Sequence, residues 1–221
     1  MIIIMLGAPG TGKGTVSSIL SERLNMPHVS SGDIFRNEIK MQTDLAKELD
    51  KYLSKGALVP DELTIKIISE RLKQPDLKDG VILDGFPRTE EQAIKLDEIL
   101  AKDNRKVDIV LNLVTPEDEL IERIVNRRIC SNPECKTIYN LKLNPPKEEG
   151  LCNVCGSKLV QRKDDNVETV KNRFREYINL SSKLVDYYGN KNVLYTAEVT
   201  ERLNKFGKEV AEEFITYLER K

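Results

Sequence analysis

The sequence has almost no net charge, because 35 lysine and arginine residues are balanced by 36 aspartate and glutamate residues in a chain of 221. No overall field therefore draws the protein to nucleic acid or to an anionic membrane surface, and we expect neither as a partner. A site for an anion must instead be built locally, from a few cations that the fold brings together.

Long hydrophobic runs are absent as well. The opening segment MIIIML is far shorter than the ~20 apolar residues of a membrane-spanning helix. It also lacks the leading positive charges of a secretory signal. We therefore expect a soluble protein of the cytoplasm. Histidine occurs once, at His28, and its apolar neighbourhood beside Pro27 favours a structural role over a catalytic one.

Short apolar segments alternate with amphipathic ones. Strands are predicted at 1–6, 81–84, 107–114 and 192–196, and helices at 15–24, 61–72 and 90–100. This alternation is typical of an α/β fold with a parallel sheet. Thr115 is predicted to cap a further helix, with Pro116 in its first turn. Residues 30–71 and 129–163 interrupt the alternation, and we interpret them as insertions on the ligand side of the sheet.

The segment GAPGTGKGT at residues 7–15 follows the first strand and opens a helix. It matches G-x-x-x-x-G-K, in which glycines let backbone N–H groups point at phosphates and the lysine, here Lys13, reaches the β and γ phosphates. The next residue is Gly14, so the hydroxyl that usually contacts magnesium arrives one place later, at Thr15. A chance glycine-rich turn is the alternative, but the strand–loop–helix context favours a phosphate loop.

A second segment, VILDGFPRT at residues 81–89, also contains site-like residues. Asp84 ends a predicted strand, where it can orient magnesium, directly or through water, or cap the next helix. Arg88 would then point at a phosphate. A cleft rich in arginine suits phosphoryl transfer, because the protein mainly positions the substrates and neutralises charge. Further candidates for that cleft are Arg36, Arg123, Arg127, Arg128, Arg162 and Arg173.

The cysteines fall in one window, at Cys130, Cys135, Cys152 and Cys155. Two close pairs separated by a loop, here C-x4-C and C-x2-C, are typical of a tetrahedral structural zinc site. Disulfides and metal-free thiols are alternatives, although a cytosolic setting and the two-residue spacing argue against disulfides. We expect a zinc ion that makes a small polar lid rigid.

The order of these motifs resembles the adenylate kinase family, in its long form with a zinc-binding lid. The resemblance covers nearly the whole chain and rests on GAPGTGKGT, SSGDIFR, GALVPDELT, LDGFPRTEEQA, ERIVNRR, the four-cysteine insert and QRKDDNVETVKNR. It implies a three-layer P-loop nucleoside monophosphate kinase fold, with a central parallel sheet and two inserted mobile subdomains. The core would comprise 1–29, 72–128 and 164–221, the AMP-binding insert 30–71, and the lid 129–163.

The resemblance also implies roles for individual residues. ATP would be bound by Gly10, Thr11, Gly12, Lys13, Gly14, Thr15, Arg123, Arg127, Ile138, Tyr139 and Val199. AMP would be bound by Ser31, Arg36, Ala57, Leu58, Val59, Gly85, Phe86, Pro87, Arg88, Gln92, Arg162 and Arg173. Catalysis would fall to Lys13, Asp84, Arg88, Arg123, Arg127, Arg162 and Arg173, with Asp33 and Asp84 holding magnesium through water.

The chain departs from the usual pattern of the family in several places. Asn126 replaces a glycine before the lid, and Ser31 replaces a threonine. Thr196 and Ala197 stand where an Asp-Gly turn usually contacts adenine, and the first cysteine pair is C-x4-C rather than C-x2-C. The activity implied is magnesium-dependent transfer from ATP to AMP by a monomer. The alternatives are a UMP/CMP kinase and a nucleotide-binding module whose zinc ribbon contacts nucleic acid.

Overall fold

A central parallel sheet organises the protein, whose computed structural model describes residues 1–200 and 206–221. Its strands are β1 (Ile2–Gly7), β2 (His28–Ser30), β3 (Val81–Asp84), β4 (Ile109–Val114) and β8 (Leu194–Glu198). They lie in the order β2–β3–β1–β4–β8, and each neighbouring pair is parallel, which confirms the predicted α/β fold. The predicted core range 164–221 includes residues 201–205, which lie outside the described part.

The buried strands explain why the sequence shows uninterrupted apolar runs. β1 and β4 are buried along almost their whole length, since helices cover both faces of the sheet. The carboxyl ends of neighbouring strands meet at one edge, where Met5 pairs with Asp84 and the phosphate loop follows. β2 is not among the predicted strands, because its three residues are too few to show a period.

Helices surround the sheet and build the first insertion. They are α1 (Lys13–Leu24), α2 (Ser31–Met41), α3 (Ala46–Leu53), α4 (Asp61–Leu72), α5 (Glu90–Lys102), α6 (Glu117–Val125), α7 (Val167–Glu176), α8 (Lys183–Asn190) and α9 (Gly207–Glu219). The apolar sides of α4, α5 and α8 pack on one face of the sheet, and those of α1 and α9 pack on the other. Among the described residues, no helix combines the length and apolar character needed to span a membrane.

The start of α6 differs from the prediction. Its first residue is Glu117, and Pro116 occupies the N-cap position without a side-chain cap. Thr115 is buried instead, and its hydroxyl donates to Val199 O at 2.7 Å. The prediction of Thr115 as a helix cap is therefore wrong, because the backbone that follows β8 provides its hydroxyl with a partner.

The first predicted insertion is a small helical body. α2, α3 and the start of α4 pack around Phe35, Leu49 and Val59, which form a hydrophobic cluster separate from the two faces of the sheet. α7 contacts this body just after α3, since Thr169 Oγ1 donates to Ser54 O at 3.4 Å.

The second predicted insertion carries its own antiparallel sheet. β5 (Arg127–Cys130) lies between β6 (Ile138–Asn140) and β7 (Leu159–Val160). The sheet begins at Arg127, slightly before the predicted boundary at Ile129. Its small core contains Cys130, Tyr139 and Cys152, so the apolar area that the lid buries is slight.

Candidate active site

The loop between β1 and α1 turns on glycines whose backbone angles other residues rarely adopt. Gly10 has φ 93° and Gly12 has φ 94°. A Cβ atom at Gly10 would lie 2.9 Å from Leu120 O in α6, so a side chain there would collide with backbone. Gly12 is the N-cap of α1, whose N-terminus leaves unpaired N–H groups that favour an anion. The segment thus has the strand–loop–helix geometry that its sequence predicts.

Lys13 reaches back across this loop. Its Nζ donates to Gly7 O at 2.7 Å and to Ala8 O at 2.9 Å. Burial lowers the pKa of Lys13 to about 8, against the opposing effect of the Asp84 carboxylate, and neighbouring arginines add to the lowering. Thr11 is buried with its hydroxyl on Ala8 O, so its backbone is the part that can face a ligand.

Two carboxylates predicted to organise magnesium lie at this end of the sheet. Asp84 Oδ2 lies 3.5 Å from Nε2 of His28 in β2. Burial raises the pKa of Asp84, but the nearby His28 ring and the phosphate-loop ammonium outweigh it, so the pKa lies below its ordinary value. Asp33 Oδ1 lies 2.6 Å from Arg36 Nη2 and 3.2 Å from Arg162 Nη2. Burial raises the pKa of Asp33, and these arginines more than reverse it.

Three of the predicted arginines, Arg36, Arg127 and Arg173, contact two neighbouring carboxylates. Arg127 makes a two-pronged contact with Asp165, at 2.8 Å from Nε and 2.5 Å from Nη2. Arg173 donates to Asp164, and Arg36 Nη1 lies 3.8 Å from the same carboxylate. Asp164 and Asp165, which follow the lid, thus fix the guanidinium groups in defined positions.

The cleft is crowded with positive charge. Burial, followed by repulsion from Arg36 and Arg127, lowers the pKa of Arg162 to about 9. Burial, followed by repulsion from Arg88 and Arg127, lowers the pKa of Arg173 to about 9. The pKa of Arg88 is also lowered, chiefly by burial. Anionic phosphates bound in the cleft would relieve this repulsion.

A pocket lies between α2, the turn after α3 and the segment after β3. Nine of the residues predicted to bind AMP line it, namely Ser31, Arg36, Ala57, Leu58, Val59, Gly85, Arg88, Gln92 and Arg173. Arg162 is not among the lining residues, and neither are Pro87 and Phe86, whose side chain is buried in the core.

Sequence reasoning missed several residues of the pocket wall, namely Gly32, Phe35, Leu53, Gly56 and Thr64. Gly32 and Phe35 lie within SSGDIFR, so their place in that motif was a usable signal. Gly56 and Thr64 lie within GALVPDELT, which was likewise a usable signal, whereas Leu53 looks like ordinary scaffold in the sequence and only the fold brings it to the pocket.

Arg123 belongs to a separate network beside the phosphate loop. Its Nη2 donates to Glu119 Oε2 at 2.5 Å, and both side chains are almost fully buried. Its Nη1 donates to Val199 O at 3.2 Å, and Thr200 Oγ1 donates to Glu119 Oε1 at 2.6 Å. Two predicted ATP-binding residues, Arg123 and Val199, are thus brought together, although the side chain of Val199 lies in the core.

The four cysteines meet in the lid, as predicted. Cys130 Sγ lies 3.3 Å from Cys155 Sγ, and Cys135 Sγ lies 3.7 Å from Cys152 Sγ. All four sulfur atoms lie within 4.8 Å of one another, and none forms a disulfide. Four thiolates around a zinc ion lie about 3.8 Å apart, as follows from tetrahedral Zn–S bonds of roughly 2.3 Å. The donor set therefore fits a tetrahedral zinc ion.

The residues between Cys130 and Cys135, the longer C-x4-C pair, form one turn. Asn132 Oδ1 accepts from Glu134 N at 2.9 Å, and Asn132 O accepts from Cys135 N at 3.2 Å. The additional residues are thereby folded into a closed loop, and Cys135 still reaches the other three sulfur atoms.

The lid residues predicted to contact ATP point in different directions. Ile138 approaches the phosphate loop, since a Cβ atom built on Gly14 would lie 3.3 Å from Ile138 Cδ1. Tyr139 is buried inside the lid, and its hydroxyl lies 3.5 Å from Cys152 Sγ. Tyr139 stays a predicted ATP contact, and because its side chain packs on the cysteines, its backbone is the part that can face the nucleotide.

Comparisons with known proteins agree with this geometry. The family model described as adenylate kinase matches residues 5–193. An adenylate kinase of Caldicellulosiruptor saccharolyticus is 47% identical over 95% of this chain and 97% of its own length. An adenylate kinase of Clostridium tetani is 48% identical over 93% and 94%, and one of Archaeoglobus fulgidus is 46% identical over 95% and 96%. The chain belongs to the adenylate kinase family.

Proposed function

We propose that this protein transfers the terminal phosphoryl group of ATP to AMP, giving two molecules of ADP, with magnesium. The observation that carries the proposal is that one set of cations joins two sites. Arg88 and Arg173 line the pocket, and their charges also lower the pKa of Lys13 in the phosphate loop. Phosphates of a donor on the loop and of an acceptor in the pocket would therefore meet across these cations, as transfer between nucleotides requires.

The proposed mechanism relies on positioning and charge rather than on a general base. Lys13 would exchange its carbonyl partners for the donor phosphates, and Arg88, Arg127 and Arg173 would neutralise the transferring group. Bound magnesium would supply further positive charge to neutralise the phosphates of ATP. Asp84, and with it Asp33, would hold that ion through water, as carboxylates near phosphates commonly do.

The proposed nucleotide sites follow the two halves of the cleft. ATP is assigned to Gly10, Thr11, Gly12, Lys13, Gly14, Thr15, Arg123, Arg127, Ile138, the backbone of Tyr139 and the carbonyl side of Val199. AMP is assigned to the pocket together with Phe86, Pro87 and Arg162. Arg162 supports this assignment because it reaches Asp33, on the same helix as Ser31 and Arg36. We also propose that 30–71 and 129–163 move as separate bodies, the lid closing to exclude water so that transfer outruns hydrolysis.

A single assay tests the activity. ADP formation is followed with ATP and magnesium, using AMP, UMP, CMP and GMP in turn as acceptors. We expect AMP to be the best acceptor by a wide margin. A preference for UMP or CMP would favour the pyrimidine alternative, and no transfer to any acceptor would refute the proposal. Salt-sensitive binding to nucleic acid in a titration would instead support the zinc-ribbon alternative.

We predict that nucleotide binding takes up a proton near pH 8. In the free protein the pKa of Lys13 is about 8, because burial disfavours the charged ammonium. Phosphates at the loop would raise that pKa, so affinity is constant while Lys13 is already charged and falls as pH rises above about 8. Calorimetric titration with ATP at pH 8, in two buffers of different ionisation enthalpy, should give different heats.

Two comparisons make that titration decisive. At pH 6.5 the buffers should give nearly equal heats from this group, since Lys13 is protonated in both states. Identical heats at pH 8, or a difference that survives in Lys13→Met, would contradict the assignment of the proton to Lys13.

We propose zinc as the ion of the cysteine cluster, and Tyr139 as part of its surroundings. The Tyr139 hydroxyl accepts from Asn153 N at 2.8 Å, so its own proton is left for Cys152 Sγ at 3.5 Å. Tyr139→Phe should weaken zinc binding roughly 10- to 100-fold, as the loss of a hydrogen bond to a ligand typically does. Competition with a chromogenic chelator measures this, and Tyr195→Phe in β8 is the control. An unchanged affinity would contradict the prediction.

We further propose a cytoplasmic monomer that works without nucleic acid or a membrane. The supporting observation is the balance of charges, 35 basic against 36 acidic, which leaves the cations concentrated in the cleft. Light scattering of the purified protein at micromolar concentration tests the monomer.

A further inference from the structure

Asp61 links the first insertion to the core from behind the pocket wall. It is the first residue of α4, and its Oδ1 accepts from Gln92 Nε2 in α5 at 2.7 Å. Its Oδ2 accepts from Thr89 Oγ1 at 2.7 Å. Gln92 Oε1 accepts in turn from Arg88 N at 2.7 Å. One carboxylate and one backbone N–H thus hold the two ends of the same side-chain amide.

These contacts leave Gln92 a single orientation. A carboxylate can only accept, so Nε2 must face Asp61, and a backbone N–H can only donate, so Oε1 must face Arg88. An amide flip would break both hydrogen bonds at once. Gln92 is almost fully buried yet lines the pocket. The group therefore has a second N–H on Nε2 and a second lone pair on Oε1 with which to meet a ligand.

An amide held in this way distinguishes between base edges. It matches a base that offers an acceptor next to an amino group, as adenine does with N1 and N6 and cytosine with N3 and N4. Hypoxanthine, guanine and uracil present the reverse order, a ring N–H next to a carbonyl. Those bases would set donor against donor and acceptor against acceptor, and a buried site rejects such mismatches strongly.

We propose that Asp61 is a positioning residue that sets the base specificity of the acceptor site by fixing the amide of Gln92. The inference rests on the proposed function, since it takes the pocket to be the acceptor site. It adds that a residue outside the pocket lining enforces the choice of an amino-substituted base.

AMP and IMP form the matched pair of ligands for the test, because they differ only along this edge of the base. The value of kcat/KM for each is measured at saturating ATP, in the native protein and in Asp61→Leu. We expect the native protein to favour AMP, and Asp61→Leu to reduce the ratio of AMP to IMP by roughly tenfold or more. The ratio does not depend on the fraction of active protein, so partial loss of folding does not obscure it.

Two variants separate positioning from a general effect on structure. Asp61→Asn should retain the AMP preference, because its Oδ1 can still accept from Gln92 while its amide donates to Thr89. Glu62→Leu alters the neighbouring exposed carboxylate in the same helical turn and should leave the ratio unchanged. If Asp61→Leu does not fold, Asp61→Ala replaces it in the same measurement.

A native-like ratio in Asp61→Leu, with a collapsed ratio in Gln92→Leu, would overturn the role of Asp61 and leave the proposed function intact. If the native protein transfers phosphate to neither acceptor, the proposed function fails. Calorimetric affinities for AMP and IMP in the same variants then decide the role of Asp61. Equal loss of both affinities in Asp61→Leu would also overturn the inference, since a merely structural role predicts that result.

Discussion

Lys13→Met should lower kcat roughly 100- to 1000-fold, the usual cost of removing one preorganised donor from a site that stabilises developing charge. Lys13 extends across the phosphate loop with its Nζ on Gly7 O and Ala8 O. Once a phosphate replaces these carbonyl partners, the ammonium is held beside it before transfer begins, so little reorganisation is needed during transfer. Methionine preserves the length and most of the apolar stem but cannot donate. Steady-state kinetics with ATP and AMP provide the measurement.

The fold should survive this change, because the two hydrogen bonds that Lys13 makes lie within its own loop. Thermal unfolding followed by circular dichroism should therefore show a midpoint close to that of the native protein. Lys47→Met, on the exposed side of α3, is the matched control and should keep full turnover. Near-native kcat in Lys13→Met would refute the assignment of the phosphate loop as the donor site.

Cys152→Ser should abolish stoichiometric zinc and unfold the lid. Cys152 is buried with Cys130 and Tyr139, and these residues are the main apolar content of the lid core. Zinc binding to such sites contributes about 10 kcal/mol or more to the folded form, which so small a core cannot replace. If 4 kcal/mol of this is coupled to global unfolding, Tm falls by roughly 8 to 16 °C. Metal analysis and calorimetric unfolding measure the two effects.

The expected site of damage can be located directly. Limited proteolysis should cut Cys152→Ser within residues 129–163 while the remainder of the chain resists. Val154→Ala is the control, because Val154 lies between the predicted ligands Cys152 and Cys155 but is 71% exposed. If Cys152→Ser retained zinc and its native Tm, the cluster would not be the structural metal site proposed here.

The parts of the fold that the sequence predicts are those with strong local signals. β1 and the phosphate loop have continuous apolar burial followed by glycines, and both are where the pattern places them. The short strand β2 has no period to detect, and its edge position follows from pairing with β3 alone. Thr115 shows the limit of local rules, because its hydroxyl binds a carbonyl far away in the sequence.

The same reasoning applies to the candidate site. The cysteine spacing predicts a cluster because ligand chemistry constrains the pattern, and the four sulfur atoms meet. Nothing in the sequence indicates that Tyr139 faces these sulfur atoms rather than a nucleotide. The alternation of side chains along a strand does not reveal which face of the three-stranded sheet is the interior of the lid. Leu53 reaches the pocket through helix packing, which the sequence does not encode locally.

Asp164 and Asp165 make ligand binding in the cleft an ion exchange. In this structure they already hold Arg173 and Arg127, so a phosphate that binds those guanidinium groups competes with a carboxylate rather than meeting a bare cation. The number of charges neutralised changes little in such an exchange, and screening by salt acts on both sides of it. Nucleotide affinity should therefore depend on ionic strength less steeply than the number of arginines suggests. This arrangement favours discrimination between anions over a general attraction of anions.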